Sequence, residues 1–399
     1  MALSKKQSLQ RNQILESLYL HGSQSRADLA RRLGITPATM TEITGVMIKQ
    51  GVLTETGDGA RDSGIGRKRV LLDVRPQLAY YMGIELGENK VTICLTDNLG
   101  QLVENATVHQ TVDSTFLLTE KNLIELIHSY IDTHCNYSIK AVALAVPGHY
   151  EQESQTIVSN QTFWSNFDLA SVISEISIPV YVKNNVKCMA LAQLYLSSTK
   201  NKLNFLFLNL KRGIFASYVY DGHIYGDKNY LVGEVGHLVV NPNGEQCECG
   251  KAGCLQTYAS IPWMLKKARH ALASGRTSYL KLLADCPEEV ELNDLFYAYQ
   301  MGDEFVHRIV EQALDYLVLQ INNSQMILDV DAIYIHGKLF EEPLIMRKLQ
   351  AKLAISTQVV QQERAITRQV LPYCSNRGAI GACALAIKKH FIEGEIENS

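Results

Sequence analysis

Gly233-Glu234-Val235-Gly236-His237, followed ten residues later by Cys247-Glu248-Cys249-Gly250-Lys251-Ala252-Gly253-Cys254, is the stretch on which the reading of this chain turns. Three thiols and one imidazole make a closed tetrahedral donor set, the kind that structural zinc prefers. Glycines at 250 and 253 let the loop turn sharply enough for Cys249 and Cys254 to converge. A thiol pair for redox work is the competing reading. Against it, Cys247-Glu248-Cys249 is C-x-C rather than the C-x-x-C of redox motifs, with no second pair nearby. The spacing therefore predicts a bound Zn2+ held by Cys247, Cys249, Cys254 and His237. The other six cysteines (Cys94, Cys135, Cys188, Cys286, Cys374, Cys383) are scattered and read as small core residues.

Upstream lies an α/β pattern. Tyr80–Leu86, Val91–Thr96, Leu102–His109, Ala141–Val146, Val180–Val182, Phe205–Leu210, Ile214–Tyr220 and Ala332–Ile335 read as strands. Leu117–Tyr130, Val186–Leu196 and much of 261–325 read as helices. Strands mixed with helices in this order predict a two-lobed α/β body. No internal repeat or low-complexity tract is visible.

Before Pro76 the character changes. Ile14, Leu15 and Leu18 share a helical face, and His21-Gly22 ends that helix. Ser25 and Asp28 have the spacing of an N-cap and its third position, and Leu29, Ala30 and Leu33 follow at helical intervals. Gly34 turns the chain. Thr36 caps a third helix with Pro37 at its first position, and Ile43, Val46, Met47 and Ile48 are its expected buried side. Two short helices around a glycine turn make a helix-turn-helix. The third helix, with Ala38, Thr39, Thr41 and Glu42 in its first turns, is then the one that enters the major groove of double-stranded DNA. Val52–Glu55 and Val70–Leu72 flank a basic, glycine-rich tip with Arg61, Arg67, Lys68 and Arg69, the pattern of a phosphate-binding wing. The expected DNA-contact set is Ser25, Arg26, Thr36, Pro37, Ala38, Thr39, Thr41, Arg61, Arg67, Lys68 and Arg69.

Charge agrees with that division. Of the 399 residues, the first 76 carry a net +5, whereas the whole chain carries −3. A basic head on an acidic body suits a protein whose head alone meets nucleic acid. The start is polar, with no apolar stretch of a signal peptide, and no run is long enough to span a bilayer. A cytoplasmic protein with no membrane partner is expected.

The Gly-Glu-x-Gly-His and C-x-C-G-x-x-G-C elements together resemble the signature of the ROK family (repressors, open reading frames, kinases). The basic head resembles its repressor branch, which includes xylose and N-acetylglucosamine repressors. The resemblance covers nearly the whole chain. It implies an actin-like, ribonuclease-H-like body of two lobes, with sugar hydroxyls bonded by Glu234 and His237, one imidazole nitrogen serving metal and the other sugar. Asn160, Asn184, Asn185 and Gln256 complete the implied sugar set. The expected domains are 1–76 (winged helix-turn-helix), 77–190 (small lobe, joined by a C-terminal helix 385–399) and 191–384 (large lobe with zinc and sugar sites).

Three departures from the kinase members stand out. Asn185, in Lys183-Asn184-Asn185-Val186-Lys187, holds the position of the catalytic Asp. A neutral amide accepts no proton at useful pH. Lys211-Arg212-Gly213-Ile214-Phe215-Ala216-Ser217 replaces a glycine-rich phosphate turn, and Ile214 and Phe215 are expected to obstruct it. Glu85-Leu86-Gly87-Glu88-Asn89 replaces Asp-x-Gly-x-Thr, and Glu88 would repel a nucleotide. A further departure, from the family as a whole, is Gln256, where the resemblance implies a Glu that contacts sugar. Lys183, Lys187, Lys211 and Arg212 raise the further expectation of a sugar phosphate effector. The combined reading is a sugar-responsive repressor without catalysis, working as a homodimer or dimer of dimers on a palindromic operator. Control by a protein partner, or an active sugar kinase, are the alternatives.

Overall fold

The computed structural model describes residues 4–57, 70–87, 89–226, 229–355 and 365–394. Ser4 and Gln7 form a reciprocal capping box that opens α1 (Lys5–His21). Gly22, at φ +78°, ends it. β1 (Gln24–Ser25) leads into α2 (Arg26–Leu33), where Ser25 Oγ accepts the Asp28 N–H at 3.2 Å. Gly34, at φ +64°, makes the turn to α3 (Pro37–Lys49), capped by Thr36. The buried side of α3 is Met40, Ile43, Thr44 and Met47. Val46 and Ile48 are half-buried instead. Helical spacing explains the correction, because 40, 43, 44 and 47 share one stripe and 46 and 48 flank it. β2 (Leu53–Thr56) and β3 (Leu71–Val74) pair antiparallel, with β1 on the other side of β3. They are the expected wing strands. The tip residues Arg61, Arg67, Lys68 and Arg69 lie outside the described residues.

The next sheet contains β4 (Tyr80–Leu86), β5 (Lys90–Asp97), β6 (Val108–Thr111), β7 (Ile139–Val146) and β10 (Val180–Asn184). Between them come α4 (Glu120–Thr133), the hairpin β8 (His149–Glu151) and β9 (Thr156–Val158), and α5 (Thr162–Asn166) and α6 (Leu169–Ser174). α7 (Asn185–Tyr195) follows β10 directly. The strand order is β10-β7-β4-β5-β6, antiparallel across β4, β5 and β6 and parallel across β4, β7 and β10. The strand expected over 102–109 is shorter. Leu102 makes a single bridge to Thr96, and Asn105 at φ +58° breaks the extended run.

The second sheet is β11 (Phe205–Leu210), β12 (Ile214–Tyr220), β13 (His223–Ile224), β14 (Ala332–Gly337) and β15 (Thr367–Val370). The helices of this part are α8 (Gln256–Ala259), α9 (Ile261–Ala273), α10 (Leu292–Gln300), α11 (Glu304–Gln325) and α12 (Pro343–Ala354). Its order, β13-β12-β11-β14-β15, has the same antiparallel and parallel pattern as the first. The repeat that is invisible in the sequence is present in the topology: a central first strand, a meander on one side and crossovers on the other. These are the two sheets of the actin-like fold.

α13 (Arg377–Ala386) and a π-helical turn over Ile387–Ile392 close the chain. Close packing explains the small residues of α13. A Cβ at Gly83 on β4 would fall 2.1 Å from Ala379 O, and one at Gly381 would fall 2.6 Å from the Cys188 carbonyl carbon on α7. Two compact units result, Met1–Asn201 with Ser375–Ser399, and Lys202–Cys374. The divisions expected after 190 and 384 move, because α7 and α13 each run unbroken and pack on one another. The head shares the first unit rather than forming its own. Among the scattered cysteines, Cys94, Cys188 and Cys383 are buried as expected, but Cys135 is exposed. Among the described residues no helix is long and apolar enough to cross a membrane.

Candidate metal centre and DNA-facing head

His237 and the three clustered cysteines come together as the sequence predicts. One ligand atom from each lies within 4.8 Å of all the others. The loop is pinned by Cys247 N–H to Lys251 O at 2.8 Å and by the Gly253 carbonyl, which accepts from Val240 N–H at 2.9 Å. Gly253, at φ +71°, passes so near Asn241 that a Cβ would fall 1.6 Å from its carbonyl oxygen. Cys249 Sγ and Cys254 Sγ are 3.6 Å apart, and Cys247 Sγ is 3.6 Å from His237 Nδ1. A tetrahedral ion with ordinary Zn–S and Zn–N lengths would set these edges at about 3.8 and about 3.6 Å. The donors therefore fit such an ion. Burial, with the neighbouring thiols, pushes Cys254 up to about 12; a cation at the centre is what would make thiolates stable together. Because Nδ1 faces the sulfurs, Nε2 is the imidazole nitrogen left for a second partner.

Gln256 lies beside the cysteine loop. It is 5% exposed, and its amide nitrogen donates to Cys247 Sγ at 3.4 Å and to Glu248 Oε1 at 2.9 Å. Both donor hydrogens thus serve the metal loop. Glu234 is half-buried at the head of the 3-10 turn Val235–His237. That turn lies against β12: Gly233 O accepts the Ala216 N–H at 2.8 Å, and a Cβ on Gly233 would fall 2.4 Å from Phe215 Cζ. Ile214 faces the opposite way, into the core at 2% exposure. The expected side-chain obstruction in this segment therefore falls to Phe215 and not to Ile214, since adjacent strand residues point to opposite faces.

The sugar residues expected from the first unit are not alike. Asn184 is 5% exposed and caps α7, its Oδ1 taking Val186 N–H at 2.9 Å and Lys187 N–H at 3.1 Å. Its Nδ2 donates to Gly148 O at 2.7 Å. Both lone pairs of that oxygen are committed to the fold. Asn185 is half-buried and accepts from Val186 N–H at 2.8 Å, and Asn160 is exposed in the loop after β9. Lys187 is buried at 5% exposure, so it is not a surface cation, whereas Lys211 and Arg212 are exposed. Glu85 is also buried, against Gly378 at the start of α13, where a Cβ would fall 2.2 Å from its carboxyl carbon. Glu88 lies outside the described residues.

On the head, Thr36, Pro37, Ala38, Thr41 and Glu42 are exposed together on α3, and Thr39 is half-buried. Thr41 Oγ1 donates to Pro37 O at 2.8 Å, and the residue is exposed. Ser25 is buried, its hydroxyl donating to Asp28 Oδ2 at 2.6 Å, so it serves the cap. Arg26 is tied to Glu55 at 2.8 Å and to Thr44 Oγ1 at 3.1 Å, clamping α2 to the wing and to α3.

A set of residues missed in the sequence joins the head to the lobe. Tyr195 OH donates to Glu16 at 2.8 Å and receives Lys388 Nζ at 2.8 Å. Lys200 Nζ donates to Tyr19 O at 2.9 Å and Tyr195 O at 3.1 Å, so one ammonium caps the C-terminal ends of α1 and α7 together. Tyr19 OH donates to Asn98 O. Buried Arg11 donates to Gly394 O at 3.1 Å, and burial pulls its guanidinium down to about 10. No local pattern signals these partners, which lie 179 and 372 residues from Glu16.

With this geometry in view, comparison with known proteins is direct. A winged helix-turn-helix DNA-binding model matches residues 9–54. The chain is 24% identical to the xylose repressor of Bacillus subtilis over 95% of each chain. It is 25% identical to the DNA-binding transcriptional dual regulator NagC of Escherichia coli, over 94% of this chain and 91% of that one. A solved ROK family transcriptional regulator, a homologue of the E. coli MLC protein, superposes with a TM-score of 0.76 at 21% identity, covering 98% of both chains. A ROK family glucokinase from Streptomyces griseus, solved with glucose and AMPPNP, gives 0.63 at 19% identity over 77% of this chain and 99% of that one. These two likenesses share the fold. The ROK family model itself matches residues 81–389, most of the chain, and the protein belongs to the ROK family.

Proposed function

We propose that the protein is a sugar-responsive DNA-binding transcriptional regulator, a repressor of carbohydrate-utilisation genes that works in the cytoplasm. The observation that carries this reading is a capped winged helix-turn-helix hydrogen-bonded through α1 to a ROK body. α3 supplies the groove-facing surface, and Arg61, Arg67, Lys68 and Arg69 supply phosphate contacts from the wing. His237, Cys247, Cys249 and Cys254 hold Zn2+, which sets the loop carrying Glu234. Glu234 and His237 Nε2 of the second unit bond sugar hydroxyls; the sugar residues proposed for the first unit are Asn160, Asn184 and Asn185. Gln256, whose amide nitrogen bonds the cysteine loop, completes the sugar set of the second unit.

No phosphoryl transfer follows binding. Asn185 stands where a base is needed, and its amide has no basic lone pair to take a hydroxyl proton. Sugar bound beside Asn185 acts on the N-terminal turn of α7, whose last residue is bonded to the head. A sugar that releases DNA must bind the DNA-free state more tightly. Two copies present two α3 helices to a palindromic operator, with half-sites about one or two helical turns apart.

A gel-shift titration of an upstream operator with pentoses, hexoses and amino sugars tests the reading. One sugar is expected to lower operator affinity at least tenfold, and no effect from any member would count against sugar control in favour of a protein partner. An ATP-coupled assay on the same panel is expected to release no ADP. For the sugar phosphate alternative, calorimetry with a sugar and its 6-phosphate decides; tighter binding of the neutral sugar sinks it.

A further inference from the structure

Every described acidic residue of the head has a bonded partner inside the protein, with one exception. Glu16 is held by Tyr195 and Lys388, Asp28 by Ser25 and Arg31, Glu55 by Arg26, and Asp73 by Ser23. The Glu42 side chain makes no hydrogen bond or ion pair with any other described residue, and it is exposed. Its position is what makes this informative. On α3 it shares the outward stripe with Ala38 and Thr41, opposite the buried Met40, Ile43, Thr44 and Met47. A carboxylate on this stripe would meet the phosphate-flanked major groove, where it is repelled by nearly everything it can approach.

The groove edges of the bases narrow what can reward it. Guanine presents two acceptors and thymine an acceptor and a methyl group; adenine sets its one donor beside the N7 acceptor. Cytosine alone offers an N4 amino donor without an adjacent acceptor on the same base. Resting on the DNA-binding reading above, we propose that Glu42 is a specificity-determining residue that accepts a hydrogen bond from a cytosine N4 amino group in each operator half-site. It works largely by exclusion: every other base at that step leaves a desolvated carboxylate facing an acceptor. The neighbouring methyl groups of Ala38 and Thr41 fit thymine C5-methyl groups beside that cytosine.

The test is selection of a randomised duplex library by the full-length protein without sugar, followed by sequencing, for the native chain, Glu42→Ala and Glu42→Gln. The native chain is expected to enrich one fixed cytosine per half-site, preferred roughly 5- to 150-fold over other bases. Glu42→Ala should lose that preference while keeping the rest of the motif, and should bind random DNA more tightly. Glu42→Gln should move the preference toward adenine, which suits an amide. Because the Glu42 side chain bonds nothing among the described residues, both variants should keep the native Tm. If the native chain enriches a motif and Glu42→Ala enriches the same one unchanged, the role of Glu42 is overturned and DNA binding stands. If the native chain enriches no motif at all, the DNA-binding reading falls and this inference with it.

Discussion

Tyr195, the last residue of α7, donates its hydroxyl to Glu16 on the first helix of the head across 2.8 Å, while Lys388 donates to the same phenol oxygen. Burial first, and the Glu16 charge second, push the Tyr195 ionisation well above its ordinary range, so it remains a phenol at any working pH. The other end of α7 begins at Asn184 and Asn185. One eleven-residue helix therefore links the Asn184-Asn185 segment to the helix that opens the DNA-binding head.

Removing that hydroxyl tests the link. Tyr195→Phe keeps the ring contacts with Tyr19 and leaves Glu16 and Lys388 paired at 3.4 Å. We expect a loss of about 1–2 kcal/mol and a Tm lowered by a few degrees. DNA affinity without sugar should change little, and the sugar-induced change in affinity should shrink. Titrations with and without sugar read both; an undiminished response would show that the signal bypasses this bond.

The metal centre should hold one ion per chain by elemental analysis, with zinc as the metal. Cys254→Ala should abolish stoichiometric retention and lower Tm, because a bound ion stabilises the state that binds it. If thiol reagents label Cys247, Cys249 and Cys254 equally fast with and without a chelator, the cluster is not metal-bound.

Gln256→Glu reverses the apparent change from the family pattern, and we expect it to weaken the metal centre. The donor bonds to Cys247 and Glu248 would be lost, and a carboxylate would face another at a contact now 2.9 Å long. Loss of a bond that orients a metal ligand weakens retention about 10- to 100-fold. Competition with a chromogenic chelator measures it. Stronger retention in Gln256→Glu would reverse the assignment of Gln256.

Gly233→Ala should destabilise the second unit and abolish sugar binding. Gly233 sits at φ +103°, and an added Cβ would meet Phe215 Cζ at 2.4 Å and Ala216 O at 2.5 Å. Adding Phe215→Ala removes one clash and leaves the backbone conformation and the second clash. The double variant should thus recover little of the Tm. Full recovery would place the whole cost in the Phe215 contact.

Much of this was legible in the sequence because it is local. Ser25, Gly34, Thr36 and Pro37 sit where backbone geometry requires their types, so the helix boundaries of the head follow from spacing alone. The four candidate metal donors lie within a span of eighteen residues, and the glycines among them make convergence possible. Strand cores such as Ala141–Val146 are continuous apolar runs. By contrast, Val46 and Ile48 were misplaced because two helical faces fit the same short apolar run, and packing chose Met40 and Thr44 instead.

What the sequence by itself determined is the kind of parts: a capped helix-turn-helix, a cluster of three cysteines and a histidine, and a body of the ROK family. Tertiary structure decided which side chains are available. It committed the Asn184 oxygen to capping α7, the Gln256 amide nitrogen to the cysteine loop and the Ser25 hydroxyl to its own helix, and it left the Glu42 side chain exposed with no bonded partner among the described residues. It also paired Glu16 with Tyr195 and Lys388, partners that no sequence window contains. The physical reason is that hydrogen-bonding capacity is finite. A residue's type states what it can bond, but only the fold brings the partner that uses that capacity up, or withholds one.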